Sequence, residues 1–361
     1  MTDYAPVDWP VAARFADRLV TPGPPTDRAE ATALVVDLRR AAAVAAGHVA
    51  RITSMVPADG SDPAVAGVSR VLVVDRSGWA RANTELLATL TAAVGVRQGA
   101  KVPSRATRLA GAAQAGAVLA VLSGKVLGQF DPFTLAAGPD GTVRGRLLLV
   151  APNVLQVERA LGVDPADFRL WVALHEQTHA LQFAAAPWLS GHLRARSAEL
   201  ITDLASDGDH ADARRARALA TTVAKTLRGD DDAVGLEGLL RPEQRLVFEE
   251  VGAVMALLEG HADVAMDAVG PAVVPTVRRI RARFEARRAT AGTHGPVDRV
   301  LRRLLGLDLK LAQYRDGAKF VRSVTRAVGQ DGLNAVWSSP QALPLPREIG
   351  DPRAWVRRVH G

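Results

Sequence analysis

The stretch Asp164–Ala186 (DPADFRLWVALHEQTHALQFAAA) decides how the chain folds. Asp164 is a helix-capping residue type, Pro165 suits the first helical position, and Asp167 adds a favourable negative charge to the first turn. Most of the residues that follow are apolar, and Pro187 comes directly after the run. The pattern therefore predicts a largely buried helix that ends before Pro187.

This helix carries His175, Glu176 and His179 in the order His-Glu-x-x-His. Two histidines four residues apart share one helical face, so both imidazoles can reach one metal ion at about 2.0–2.1 Å. Glu176 then lies beside the open position of the ion, where a carboxylate can take a proton from metal-bound water. A chance match on a surface helix is the alternative, but the apolar neighbours favour a zinc site.

A catalytic zinc site with three protein ligands needs one more ligand beside the two histidines. Ala185 stands six residues beyond His179, so the pattern with a third histidine there is excluded. A second apolar helix is predicted over about 242–269, and Glu259 and Asp263 share one of its faces. Two carboxylates on an apolar face are costly unless they are neutralised. A metal would neutralise Glu259, and a ligating imidazole would satisfy Asp263.

Other assignments of this helix stay open. Glu249 and Glu250 are alternative ligands, and a salt bridge from Glu259 to one of the many arginines is the alternative without a metal. At about 100° per residue, His261 points away from the face that carries Glu259 and Asp263. We therefore expect His261 to contact loop or surface groups.

The rest of the chain predicts a mainly α fold, an α+β protein of helices with a small β-hairpin or sheet. The hairpin is predicted within Phe130–Pro152, where two apolar runs flank a Pro-Asp-Gly turn signal at 139–141. We expect an N-terminal helical region over 1–128 and a core over 129–361. The core carries a charged helical insertion at about 193–245, and the whole is expected to form one compact unit.

Composition excludes several classes of protein. The 361 residues are 48% hydrophobic and 23% charged, which is ordinary for a globular protein and excludes dominant disorder. The absence of cysteine excludes a disulfide framework, cysteine-ligated zinc and a cysteine nucleophile. The N-terminus lacks the basic start and apolar run of a secretory signal, and we expect a cytoplasmic protein.

Two further segments could suggest a nucleic-acid or membrane partner. The formal net charge is +7, and six arginines fall within 278–288, but Phe284 is the one aromatic residue among them and Glu285 interrupts the run. We therefore expect a solvated helix face and no nucleic-acid partner. The weakly polar stretch Leu109–Gln129 contains Lys125 and four glycines. It predicts a core helix and no membrane span.

The two motifs, His175–His179 and Glu259–Asp263, resemble those of the gluzincin branch of zincin metallopeptidases. In that branch the third ligand is a glutamate, and an aspartate one turn later orients a ligating histidine. Most of the chain is similar to an actinobacterial family named zincin-like metallopeptidase type 2, whose members are known mainly as predicted hydrolases. The similarity runs through Val73–Asn83, Leu127–Pro132, Val150–Asn153, Phe168–Phe183, Leu257–Asp267, Leu307–Lys310 and Gln313–Tyr314.

The resemblance implies a zincin-like core and a role for each candidate residue. His175, His179 and Glu259 would hold Zn²⁺, Glu176 would act as the general base, and Asp263 would support a ligand. Zincins commonly place a Tyr or His at the forming oxyanion, so Tyr314 is a candidate donor, with a packing role as the equal alternative.

The expected function is a zinc-dependent hydrolase that acts on a peptide or related amide bond through a metal-activated water. The alternative is a non-catalytic zinc-binding structural or accessory protein that retains the constellation. The resemblance also suggests that the strand Arg146–Val150 forms the sheet edge that pairs with an extended peptide.

Overall fold

The computed structural model describes residues 7–92, 103–137, 141–205, 241–290 and 307–361, without the side chains of 200–205, 288–290 and 307–315. The chain divides into two compact units, residues 1–190 with 265–280 and residues 191–264 with 281–361. The expected domain boundary at residue 128 stays a prediction. Most of the expected insertion at 193–245 lies outside the described residues.

The first unit combines helices with a small sheet. Its elements are α1 (Trp9–Leu19), α2 (Arg28–Thr53), α3 (Pro63–Ala66), β1 (Arg70–Val74), α4 (Arg76–Ala92), α5 (Arg105–Ser123), β2 (Gly128–Ala137), β3 (Val143–Val150), α6 (Ala151–Leu161) and α7 (Pro165–Ala185). The prediction of a mainly helical protein with a small sheet is confirmed.

The sheet has the strand order β1-β3-β2, with β1 parallel and β2 antiparallel to β3. The predicted hairpin is confirmed, because β2 and β3 pair directly, but the sequence patterns did not predict β1. Since β1 and β2 flank β3 on its two sides, the expectation that Arg146–Val150 is a sheet edge is wrong. Residues 147–150 are at most 1% exposed, as expected for a central strand covered on both faces.

One charged residue, Arg146, is nevertheless buried in β3. Its guanidinium donates to Asp131 at 2.9 Å and to Glu85 at 2.6 Å, and we call these three residues the Arg146 cluster. Burial by itself would lower the pKa of Arg146, but the hydrogen bonds to Glu85 and Asp131 outweigh burial and raise it. Asp131 also accepts hydrogen bonds from the backbone N–H groups of Phe133 and Thr134, at the irregular part of the hairpin.

Helix α7 begins as the sequence predicts. The Asp164 carboxylate accepts a hydrogen bond from the backbone N–H of Asp167 at 3.0 Å, and Pro165 occupies the first turn. Arg169 then ties α7 to its neighbours, because its guanidinium bonds Glu158 of α6 at 2.7 Å and Asp37 of α2 at 2.8 Å. These contacts fix the helix that carries the histidine motif.

Helix α5 is long and apolar enough to cross a membrane by length and composition alone, which is weak evidence for a span. It packs against α1 in the first unit, and Gly116 makes this packing close. A Cβ atom at Gly116 would lie 2.7 Å from the carbonyl oxygen of Ala12 and 2.7 Å from Cβ of Phe15. The glycine at position 116 therefore allows α1 and α5 to pack closely.

The second unit is helical in its described part. Its elements are α8 (Trp188–Ala205), α9 (Pro242–Ala268), α10 (Val277–Thr290), α11 (Leu307–Asn334), α12 (Pro346–Gly350) and α13 (Pro352–His360), with 3-10 turns at Ala335–Trp337 and Pro340–Ala342. Residues 188–190 of α8, 265–268 of α9 and 277–280 of α10 belong to the first unit.

Helices α9 and α11 approach so closely that both contact residues are glycines. A Cβ atom at Gly260 would lie 2.1 Å from the carbonyl carbon of Gly317. The neighbouring His261 is 2% exposed, and its ring centroid lies 5.5 Å from that of Trp337. The expectation of surface contacts for His261 is therefore wrong, because the glycine contact brings this part of α9 into the core of the unit, where the ring meets Trp337 of a 3-10 turn.

Candidate metal centre

The two motif histidines face each other on α7. Their ring planes are nearly perpendicular, at 87°, and the Nε2 atom of His179 lies 3.2 Å from the Nε2 atom of His175. Two ligands of a tetrahedral zinc, each at about 2.0–2.1 Å, are about 3.3–3.4 Å apart. The spacing of the two imidazole nitrogens therefore suits ligation of one ion.

Gln182 orients the second histidine. The Nδ1 atom of His179 lies 3.0 Å from the side-chain oxygen of Gln182, which is fully buried. An amide oxygen only accepts hydrogen bonds, so Nδ1 is the donor in this contact, and in the neutral imidazole the Nε2 atom then keeps its electron pair for a ligand role. Fixing the tautomer of a ligating histidine in this way is typical of metal sites.

Glu176 lies in the groove between α7 and β2 and is 6% exposed. The groove accommodates it because residue 128 of β2 is glycine. A Cβ atom at Gly128 would lie 2.6 Å from Cγ and 2.7 Å from the carboxylate carbon of Glu176. Any larger residue at 128 would have to displace the carboxylate.

Two hydrogen bonds tie the first half of α7 to the end of α9 and to the segment that follows it. The indole N–H of Trp171 donates to Asp267 at 3.4 Å, and Asp167 accepts from the backbone N–H of Thr276 at 2.8 Å.

The described residues contain one group of three potential metal ligands, and it includes both motif histidines. One ligand atom from each of His175, His179 and Glu259 lies within 4.8 Å of the others, and we call these residues the His-His-Glu group. Two imidazoles and a carboxylate are ligands that zinc accepts in proteins. The group could hold a metal ion.

The other predicted residues have different surroundings. The carboxylate of Asp263 accepts a hydrogen bond from Arg281 at 2.7 Å, so its support of a ligand stays a prediction. The alternative ligand Glu250 forms an ion pair with Arg196 at 2.5 Å. Tyr314 lies in α11, but its side chain is outside the described part of the structure, and its catalytic role stays a prediction.

The sequence patterns did not single out Gln182 or Gly128 as parts of the site. A glutamine three residues after the second histidine was the available signal for Gln182, because residues three apart are neighbours on a helix. Gly128 had no such signal, since its importance depends on the strand that passes Glu176. Pairing between strand and helix cannot be read from a single residue.

Several residues that carry the family resemblance hold the scaffold together. The side-chain amides of Asn83 and Gln129 bond each other at 3.0 and 3.1 Å, which links α4 to β2. Asn153 donates to the carbonyl oxygens of Ser123 and Val126, both at 2.6 Å, and accepts from a buried arginine. These residues position the elements around the metal centre.

The chain is similar to known proteins over nearly its whole length. The sequence profile of the zincin-like metallopeptidase family matches residues 7–356. A crystal structure from Chloroflexus aurantiacus, described as that of a predicted hydrolase with a novel fold, is similar at 30% sequence identity and a TM-score of 0.66. The match covers 98% of this chain and 99% of that one. No curated protein is significantly similar to the chain.

Proposed function

Because the chain belongs to the zincin-like metallopeptidase family, we propose that it is a zinc-dependent hydrolase that cleaves a peptide or related amide bond. The similar protein from Chloroflexus aurantiacus, described as a predicted hydrolase, supports this reaction class. The observation that carries the proposal is the convergence of two imidazoles and one carboxylate within 4.8 Å.

In the proposed site His175, His179 and Glu259 hold the zinc ion. The chemistry of this ligand set fits zinc, and the 3.2 Å separation of the two Nε2 atoms is compatible with a tetrahedral ion. The hydrogen bond from His179 to Gln182 favours the tautomer of the neutral ring in which Nε2 is free to bind the ion. Three protein ligands leave a fourth position for water or substrate, as in catalytic zinc sites.

When bound, zinc would supply a water with a pKa lowered to about 7 and a Lewis acid for the carbonyl group. Glu176 accepts the proton of the attacking water and passes it to the leaving amine, as a general base and then acid. Its place in the groove against Gly128 limits the access of the carboxylate to bulk water.

Tyr314 is proposed to donate a hydrogen bond to the oxyanion. The proposal comes from the sequence, in which Tyr314 is one of only two tyrosines. Replacement of Tyr314 by Phe is expected to keep zinc and fold while slowing hydrolysis about 10²-fold, the low end for loss of one oxyanion donor. Steady-state kinetics with an unchanged circular-dichroism spectrum would check this. An unchanged rate would assign Tyr314 to packing.

Zinc content and hydrolysis test the proposed function together. Wild-type protein is expected to contain about one zinc per chain and to cleave members of a peptide library. Glu176→Gln should keep the zinc and lose about 10²-fold or more in rate, because only the proton acceptor is removed. Elemental analysis and mass spectrometry of the library give both readouts.

Chelation and a second variant provide the controls. Removing the metal should abolish cleavage, and adding zinc back should restore it. Gln177 is the next residue of the same helix, and its amide donates to α2. Adding Gln177→Glu to the Glu176→Gln protein moves the carboxylate by one residue and is not expected to restore the rate. Zinc binding without cleavage of any peptide would instead favour the non-catalytic accessory protein.

The proposed setting is a cytoplasmic protein that acts on a peptide or small amide, without a nucleic-acid partner. The ion pair of Arg281 with Asp263 within one unit supports the absence of a nucleic-acid partner in part, since this arginine already has an acidic partner. Fractionation of cells and a binding assay with mixed-sequence DNA and RNA would test the location and the partner class.

A further inference from the structure

The groove between α7 and β2 continues past Glu176. Ala180 and Phe183 follow at four and seven residues, so they share the helical face of Glu176. On the strand side, Gly128 lies against Glu176, and the ring of Phe130 lies two residues further along. The Phe130 and Phe183 ring centroids are 5.6 Å apart. The proposed general base therefore lies at one end of the groove and two aromatic rings lie along it.

A cavity of about 340 Å³ adjoins the two rings. Its walls are mostly apolar and include Ala180, Ala184, Leu135 and Val143, with Asp59 and Arg144 as the charged residues. This volume is at the lower end of small-molecule pockets, which are typically about 300–1,000 Å³ and mainly apolar. It is suited to one large side chain.

Two contacts shape the walls of the cavity. The N–H of Ala58 donates to the carbonyl oxygen of Ala184 at 2.9 Å, which fixes the wall contributed by the loop after α2. On the other side, a Cβ atom at Gly145 would lie 2.6 Å from Cζ of Phe130. Glycine at 145 therefore allows the Phe130 ring to lie across β3 and form part of the wall.

We propose that this cavity binds a branched aliphatic or aromatic side chain of the substrate, next to the amide that is cleaved. The inference rests on the proposed function, because it takes Glu176 as the base beside the scissile bond. Ala180, one helical turn beyond Glu176, lines the cavity, so a residue adjacent to the cleaved amide can reach it. The charged residues have opposite signs, so they favour neither an acidic nor a basic side chain.

Binding of amino-acid amides tests this inference without requiring turnover. We would use the Glu176→Gln protein with N-acetyl-phenylalaninamide, N-acetyl-leucinamide and N-acetyl-glycinamide, and measure Kd by ligand-observed NMR. Burial of a large apolar side chain predicts that the first two bind about 10–100-fold more tightly than the glycine compound. Equal affinities for all three would overturn the proposal.

Two matched variants locate the binding. Ala184→Phe fills the cavity and is expected to remove the preference for leucine and phenylalanine. Ala185→Phe is the control, because Ala185 is the next residue of α7, is similarly half-buried and does not line the cavity. Thermal denaturation would verify that both variants fold. Equal effects of the two substitutions would overturn the assignment of the preference to this cavity.

The same compounds separate this inference from the proposed function. If the protein cleaves peptides without preference for apolar residues, the proposed hydrolase function is supported and the proposed pocket is wrong. Selective binding that Ala184→Phe abolishes, in a protein that cleaves nothing, would keep the pocket and remove the hydrolase.

Discussion

The Arg146 cluster and the His-His-Glu group both concentrate polar atoms inside the protein, but they do so with opposite chemistry. In the Arg146 cluster the guanidinium N–H groups meet carboxylate oxygens at 2.6–3.3 Å, so donors and acceptors match. In the His-His-Glu group three atoms that can each offer an electron pair converge. The first arrangement neutralises itself within the chain, whereas the second is suited to a cation.

Structural charges and a metal site differ in whether the chain itself supplies the opposite charge. A matched ion cluster stabilises the fold and needs no ligand, because each buried charge has its partner. A set of ligands that converge is costly to assemble unless a cation repays the desolvation. The two regions should therefore respond differently to substitution, one through stability and the other through metal binding.

The largest expected effect is the loss of zinc from the His-His-Glu group. His179→Ala removes one of the three ligands and is expected to abolish stoichiometric zinc and hydrolysis, since the remaining two ligands do not form a catalytic site. Elemental analysis of the purified variant measures the zinc. His48→Ala is the control, because His48 is on α2 and contacts Arg51. Full zinc content in His179→Ala would contradict the ligand assignment.

The next effect concerns the Arg146 cluster. Arg146→Met leaves Asp131, which is 1% exposed, without its main cation and is expected to lower the free energy of unfolding by about 3–5 kcal/mol. Zinc content per folded chain should stay the same. Urea denaturation with zinc analysis gives both values. Arg144→Met changes a more exposed residue of the same strand and should cost about 0.5 kcal/mol or less.

A loss of zinc from folded Arg146→Met, or similar destabilisation by both substitutions, would show that the two regions are not independent. The Arg146 cluster would then be part of the support of the metal centre.

The smallest expected effect separates the orientation of a ligand from ligation itself. Gln182→Leu removes the acceptor at Nδ1 of His179 and is expected to weaken zinc binding about 10–100-fold, as changes behind a ligand do. Competition with a chromogenic chelator measures the affinity. Gln177→Leu is the matched control, because Gln177 is equally buried on α7 but donates to the carbonyl oxygen of Ala42. Equal weakening by both would exclude a specific role for Gln182.

Much of the fold could be predicted because its signals are local. The Asp164 cap, the proline at the first helical position and the apolar run gave α7 with the correct ends. The turn signal at 139–141 gave the hairpin. Strand β1 was missed because its five half-buried residues become a strand only by pairing with β3. The same pairing moves β3 from the edge of the sheet to its centre.

The candidate site divides in the same way. That His175, Glu176 and His179 share a largely buried helix follows from the sequence, because helical periodicity and apolar neighbours are properties of consecutive residues. Three features came from the folded chain instead: Gln182 orients His179, Gly128 makes room for Glu176, and His261 is in the core. Each of these depends on the approach of another side chain or element, and such distances are set by packing between elements.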